Sequence, residues 1–382
     1  MTRSVIYVMA GGTGGHVIPA LAVARALSQR GHAIRWMGTE RGIESRLVPE
    51  AGYPIDYLSI GGLRGKGMAT RLLSPFRLLG AVWQAVGLLR RHRPSLVIGM
   101  GGFAAGPGGL AAWLLRRPLV IHEQNAIAGL TNRVLSRLAR VTLAAYPKAF
   151  GATLPANRVV GNPVRGEIEA LPAPEQRFDG RDGPARVLVL GGSLGAQALN
   201  EAVPEALARI SRTVDLDVRH QAGPRHLETA SRHYECADWG AGSRHEVVGY
   251  IDDMAVAFGW ADFVVARAGA MTVAEIATAG VGALFIPFPH AVDDHQRFNA
   301  AWLVDQGAAR LLIQREADVD RLVALLGPLL GDRGVLQDMA SRARAAAVPD
   351  STGRIMAICE SLIDGSSRGN SSRGESSRGE AS

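Results

Sequence analysis

His16 closes a glycine-rich turn, Gly11-Gly12-Thr13-Gly14-Gly15-His16, that follows the apolar run 5–9 and precedes an alanine-rich stretch with helical spacing. A strand, a glycine turn and a helix N-terminus bring free backbone N–H groups and the positive end of the helix dipole to one place, which suits an anion. An imidazole held there is kept neutral, so His16 is a candidate general base; a helix cap or packing residue is the alternative. A second turn, Gly191-Gly192-Ser193-Leu194-Gly195-Ala196, follows the run 187–190 and opens another alanine-rich helical pattern. In Arg267-Ala268-Gly269-Ala270-Met271-Thr272-Val273-Ala274-Glu275, Thr272 near a helix start can donate to a phosphate. Glu275 either caps that helix or accepts both hydroxyls of a ribose.

Two further patches belong with these. The loop 99–109 is dense in glycine and can bring backbone close to a phosphate. His122-Glu123-Gln124-Asn125 ends a strand, and in an open parallel sheet the carboxyl ends of strands line the ligand crevice. These side chains are therefore expected at the same cleft as His16. A metal site at His122 and Glu123 is disfavoured, because adjacent strand residues point to opposite faces. Asp252-Asp253 and Asp293-Asp294-His295-Gln296 read as turn or hydroxyl-binding clusters, so no metal is expected. The first turn departs from the dinucleotide fingerprint, with Val17 at the third glycine position, and no Walker-type lysine motif occurs. Glu40, after the second strand, keeps a nicotinamide enzyme open as an alternative.

The elements that must hold these residues alternate. Strand-like runs at 5–9, 33–37, 96–99, 119–122 and 141–144 are followed by others at 187–190, 216–219, 246–248, 263–266 and 283–286. Helical patterns lie between them, as at 18–30, 127–139, 196–210 and 271–279. Apolar strands alternating with helices predict parallel sheets covered on both faces. The 382 residues, 47% hydrophobic, fit two Rossmann-like domains facing a cleft. The boundary is expected near 161–164, followed by a Pro- and charge-rich linker at 171–184. Cys236 and Cys359 cannot make a disulfide framework and read as small buried residues of a protein in a reducing compartment. Neither a signal peptide nor a membrane span is recognised, which predicts a cytoplasmic protein.

Charge is uneven. Residues 1–163 hold 20 Lys/Arg against 5 Asp/Glu, whereas 164–382 hold 22 against 30. No acid lies between Asp56 and Glu123, where nine basic residues occur. Such a field favours nucleic acid, anionic lipid or a phosphorylated substrate as partner. Ser74-Pro75 starts a helix carrying Phe76, Leu79, Val82, Trp83 and Val86 and ending at Arg90-Arg91-His92-Arg93, with Arg71, Leu72 and Leu73 before it. The stripe is either core or an interfacial membrane patch of Leu72, Leu73, Phe76, Leu79 and Trp83.

Six motifs in order (11–16, 101–109, 122–125, Gly161-Asn162-Pro163-Val164-Arg165, 191–196 and 267–275) resemble the MurG family of peptidoglycan N-acetylglucosaminyltransferases over roughly residues 5 to 362. The resemblance implies the two-domain GT-B fold and inverting transfer of N-acetylglucosamine from UDP-N-acetylglucosamine to the C4 hydroxyl of the muramoyl sugar of lipid I. Lipid II would form at the cytoplasmic face of the inner membrane. The UDP side would comprise Arg165, Ser193, Ile251 through its backbone, Thr272 and Glu275. Asn125, Ala270, Met271 and Gln296, or His295 in its place, would meet the donor sugar and nearby groups, with Val273 and Ala274 also on the donor side. Thr13, Gly14 and Gly15 would form a phosphate loop beside His16, and Phe103, His122, Glu123 and Asn125 are acceptor-side candidates. Phe103 stands where some members carry tyrosine, and Leu194 replaces a polar residue. The resemblance implies no cofactor, metal or nucleic acid; the partners would be the two substrates, an anionic membrane and a cell-wall synthesis complex. It divides the chain into 1–163 for acceptor and membrane, 164–344 for the donor, a helix at 345–364 returning to the first domain, and a disordered Ser-Arg-Gly tail at 365–382.

Overall fold

The computed structural model describes residues 3–60, 74–192 and 196–375, with the side chains of Ser74, Val292 and 366–375 left out. The chain forms two compact units, one of Met1–Pro163 with Asp350–Ser382, the other of Val164–Pro349.

The first unit is built on a fully parallel six-stranded sheet in the order β3-β2-β1-β4-β5-β6. Its strands are β1 (Val5–Met9), β2 (Ala33–Gly38), β3 (Ile55–Tyr57), β4 (Leu96–Gly99), β5 (Leu119–Glu123) and β6 (Val141–Ala144). β4 and β5 are buried along their whole length, as apolar runs covered by helices on both faces must be. The strand order reverses between β1 and β4, so both glycine loops of this unit, after β1 and after β4, leave the sheet at its switch point. β3 lacks an apolar run and carries no periodic signal. It is held instead by charge: Asp56 accepts from Nε and Nη2 of Arg35 and, at 2.6 Å, from the Tyr7 hydroxyl.

The second unit repeats the plan. Its strands are β7 (Ala185–Leu190), β8 (Leu216–Gln221), β9 (Arg244–Val248), β10 (Phe263–Ala266), β11 (Gly282–Phe285) and β12 (Ala309–Leu311), in the parallel order β12-β11-β10-β7-β8-β9. Counted within the unit this is the same order as the first sheet, with the switch point between β7 and β10. The turn at 191–192 and the Gly269 turn lie there.

Several features differ from the sequence expectation. The first helix, Gly14–Gln29, begins inside the glycine turn, because Gly14 and Gly15 adopt its first turn themselves. The helix expected over 127–139 is confined to Leu130–Leu135. The stretch 171–184 is packed rather than a free linker. Arg177, on the Pro174–Phe178 helix, is buried and donates to the carbonyls of Phe258, Ala279 and Gly280, completing helix C-termini that lack partners of their own. The last helix, Ser351–Glu375, buries Ile355, Cys359 and Ile363 in the first unit's core with Val17, Ala20 and Ala24. Its backbone is helical as far as Glu375, past the Gly365 at which the tail is expected to begin. Cys359 is buried as expected, whereas Cys236 is exposed. Among the described residues no helix is long and apolar enough to cross a membrane.

Candidate functional site

In the first unit, His16 sits half-buried in the first turn of the Gly14–Gln29 helix. The Thr13 carbonyl accepts from the N–H groups of His16 and Val17 at 3.1 and 3.2 Å, and neither a side-chain cap nor an acid occupies the helix start. Thr13, Gly14 and Gly15 therefore present the dipole end to an anion. Gly12 is excluded from that role. Its N–H donates at 2.8 Å to the buried carboxylate of Glu44, which also accepts from the N–H and hydroxyl of Thr39. Glu44 thus ties the glycine turn to the loop after β2.

A second glycine loop packs on the first. Gly101 and Gly102 have φ of 98° and 91°. A Cβ on Gly101 would lie 2.6 Å from Nδ1 of His16, and one on Gly102 would lie 2.5 Å from the Gly11 carbonyl oxygen. Glycine is required at both for backbone angle and for space. Nδ1 of His16 is 3.2 Å from Oε1 of Gln124, a buried residue whose Nε2 donates to the Met100 carbonyl at 3.0 Å. Phe103 is exposed on the same loop.

His122 and Glu123 are not placed to meet a substrate. The His122 ring is wholly buried, its Nε2 donates to the Gly161 carbonyl at 2.8 Å, and burial pushes its pKa down to about 4. Glu123 accepts from the backbone and side chain of Asn125, from the N–H of Gly129 and from Asn132. Both are spent on shaping the loop 124–132 and on anchoring 161–162, a task shared by the Asn162 amide, which donates to the Gln124 carbonyl. Asn125, half-buried, is held by Glu123 at the end of β5.

In the second unit the Ala270–Ala279 helix starts after Gly269 with no side-chain cap and no acid in its first turn. Its far end is held by the buried Arg177 and the half-buried Arg344, which donate to the carbonyls of Ala279 and Thr278. Positive charge at the C-terminus is the favourable arrangement for its dipole. Thr272 and Met271 are half-buried, and Val273 belongs to the core, so Val273 can offer only backbone. Glu275, one turn on, pairs with Arg165 at 3.0 Å. Burial raises the Glu275 pKa, and Arg165 offsets part of that rise. The structure brings these two candidates together although 110 residues separate them.

The Ile251 N–H is already engaged by Oε1 of Gln221 at 3.0 Å, which leaves its carbonyl for a ligand. Oε1 of Gln296 accepts from the Phe288 N–H, which leaves its Nε2. Asp253 is the N-cap of the Met254–Trp260 helix, and Asp294 pairs with Arg297. Ser193 lies outside the described residues, as do Leu72 and Leu73. Among the described residues no group of three or more His, Cys, Asp or Glu is placed to hold a metal ion.

The stripe on the Ser74–His92 helix divides. Val82 and Val86 are core, whereas Phe76, Leu79 and Trp83 are 72%, 56% and 68% exposed. The neighbouring Ala105–Leu114 helix, packed against it, adds exposed Trp113 and Leu114. Arg77, Arg90 and Arg91 are exposed on the same helix.

Residues 6–143 match the glycosyltransferase family 28 N-terminal domain and 186–355 match its C-terminal domain. A UDP-N-acetylglucosamine--N-acetylmuramyl-(pentapeptide) pyrophosphoryl-undecaprenol N-acetylglucosamine transferase of Marinobacter nauticus is 52% identical over 94% of this chain and 97% of its own. The protein of the same name from Chromohalobacter salexigens is 54% identical over 93% and 96%. The crystal structure of Acinetobacter baumannii MurG superposes with a TM-score of 0.82 at 41% identity, covering 94% of this chain and all of that one. The chain belongs to the MurG family. The fold is shared more widely: the calicheamicin glycosyltransferase CalG4 superposes at a TM-score of 0.67 with 18% identity, covering 95% and 99%. As a MurG family member the chain is a UDP-sugar glycosyltransferase, and the nucleotide sugar is its substrate. Two residues carry no local sequence signal: the buried Glu44, whose tie to Gly12 spans 32 residues, and the exposed Trp113, which stands alone in an alanine- and glycine-rich helix.

Proposed function

We propose that this chain moves N-acetylglucosamine from UDP-N-acetylglucosamine to the C4 hydroxyl of the N-acetylmuramyl sugar of lipid I, with inversion, giving lipid II for peptidoglycan and releasing UDP. The observation that carries the reading is likeness, along nearly the whole chain, to transferases named for this donor and acceptor. In the step, the acceptor oxygen bonds to the anomeric carbon as the bond from that carbon to the UDP oxygen breaks and its electron pair leaves with UDP. His16 takes the hydroxyl proton. Developing charge on UDP meets the uncapped N-terminus at Ala270 and Met271 and the Thr272 hydroxyl, which supply preorganised electrostatic stabilisation. Ser193 adds a second phosphate contact.

Glu275 holds the ribose hydroxyls and Arg165 keeps its carboxylate ionised. The Ile251 carbonyl receives the uracil N–H. Asn125 and Nε2 of Gln296, or His295, orient the donor sugar. Thr13, Gly14 and Gly15 form a phosphate loop beside His16 that contributes to donor binding. The half comprising 1–163 thus serves acceptor and membrane, and 164–344 the donor. The chain works at the cytoplasmic face of the inner membrane as a peripheral protein, resting on anionic lipid through Phe76, Leu79, Trp83, Leu72 and Leu73. Trp113 extends that surface. The test is UDP release from UDP-N-acetylglucosamine with and without a lipid I analogue. Release that depends on the analogue and yields the disaccharide lipid is expected; release indifferent to it, or preference for another donor, overturns the reading.

A further inference from the structure

The side chain of Gln124 is wholly buried, yet both ends of its carboxamide are engaged. A backbone carbonyl can only accept, so the contact with the Met100 oxygen at 3.0 Å fixes the NH2 group on that side. Oε1 must then face His16, 3.2 Å away at Nδ1. A carboxamide oxygen has no proton to give. The pair makes a hydrogen bond only if the imidazole carries its proton on Nδ1.

We propose that Gln124 is a positioning residue that locks His16 in the Nδ1–H tautomer, leaving the lone pair on Nε2 to receive the acceptor's proton. This rests on the reading of His16 as general base and adds what prepares it. In many sites a carboxylate orients such a ring; here a neutral amide does so. It fixes ring and tautomer through a single hydrogen bond to Nδ1. The geometry is also guarded by Gly101, where any side chain would collide with Nδ1. The chain of contacts runs from the Met100 carbonyl through the Gln124 amide to His16, so the loop after β4 and the end of β5 jointly set the base on the helix after β1.

The test reads the resting full-length protein by 15N NMR of the His16 imidazole at a pH where the ring is neutral. A single Nδ1–H tautomer is expected in the parent, and an Nε2–H spectrum overturns the proposal without any variant. In Gln124→Met, which keeps the side-chain length and removes the acceptor, a tautomer mixture is expected. kcat should fall roughly tenfold, the scale of one net hydrogen bond, with KM for UDP-N-acetylglucosamine unchanged. Gln124→Glu keeps an oxygen toward Nδ1 and, protonated on the oxygen that faces the Met100 carbonyl, should retain the Nδ1–H spectrum and most of the turnover. Equal losses in the Met and Glu variants would mark a merely structural role and overturn the proposal. If the parent shows Nδ1–H but His16→Ala turns over at a near-normal rate, the base reading fails, and the catalytic use of this bond fails with it.

Discussion

Replacing Gly101 by alanine perturbs the site without removing any functional group. The added Cβ would lie 2.6 Å from Nδ1 and 2.8 Å from Cε1 of His16, whereas ordinary contact begins near 3.4 Å. The imidazole must therefore move by about 0.8 Å or rotate off Gln124, and a misplacement of about 1 Å at a reacting group costs roughly 100-fold in rate. The φ of 98° adds backbone strain of about 1–3 kcal/mol. Gly12→Ala separates the two effects, because Gly12 has a φ of 87° but nothing within 4 Å of its Cβ position. Both variants should lose comparable stability in thermal unfolding. Only Gly101→Ala should lose about two orders of magnitude in kcat, with UDP affinity by calorimetry unchanged in both. Turnover of Gly101→Ala within about threefold of Gly12→Ala, both folded, would refute the claim that His16 is held against this loop for catalysis.

Three other outcomes follow from the same geometry. Glu275→Ala should weaken UDP binding by about 1.5–3 kcal/mol. Because burial raises the Glu275 pKa, parent affinity should drop on acidification above the ordinary carboxylate range relative to Glu275→Gln; identical affinities and pH profiles would leave Glu275 a helix residue only. His122 is neutral when folded down to about pH 4, while the unfolded chain takes its proton near 6.5. Its share of stability is therefore intact above 6.5 and lost as pH falls to about 4, by about 3 kcal/mol in all. Urea unfolding should show the parent losing more across that window than His122→Gln, and equal losses would contradict the burial argument. Phe76→Ser with Trp83→Ser should reduce co-sedimentation with anionic vesicles, and each nearby arginine contributes about 1 kcal/mol that salt removes. Unchanged binding by the folded double variant would assign the stripe to another partner.

What was legible in the sequence is what repeats locally. The apolar runs marked ten of the strands, and in those buried along their whole length, such as β4 and β5, apolar side chains are all the sheet requires. β3 and β12 escaped because an edge strand is held by its neighbour and, in β3, by the Arg35–Asp56 pair rather than by its own pattern. The glycine turns and the 267–275 segment were legible because backbone that must approach an anion restricts residue type. His122 and Glu123 were misleading for the converse reason: a polar pair at a strand end reads as a site, yet here it satisfies buried backbone of the following loop. Gln124 was legible as part of the 122–125 motif but its pairing with His16 was not, and Glu44 carried no signal, because each acts on a residue distant in sequence. The stripe at 76–86 could be read as core or surface, and helical phase alone does not say which side faces the sheet.

The central claim, that His16 serves the acceptor while a separate set of residues holds the donor, is tested most directly in one preparation of His16→Ala. Turnover of UDP-N-acetylglucosamine with a lipid I analogue and UDP affinity are measured side by side. The account predicts a loss of about 100-fold or more in kcat, the scale of a lost general base, with UDP bound as tightly as by the parent. Near-normal turnover, or a loss of turnover matched by an equal loss of UDP affinity, would contradict it.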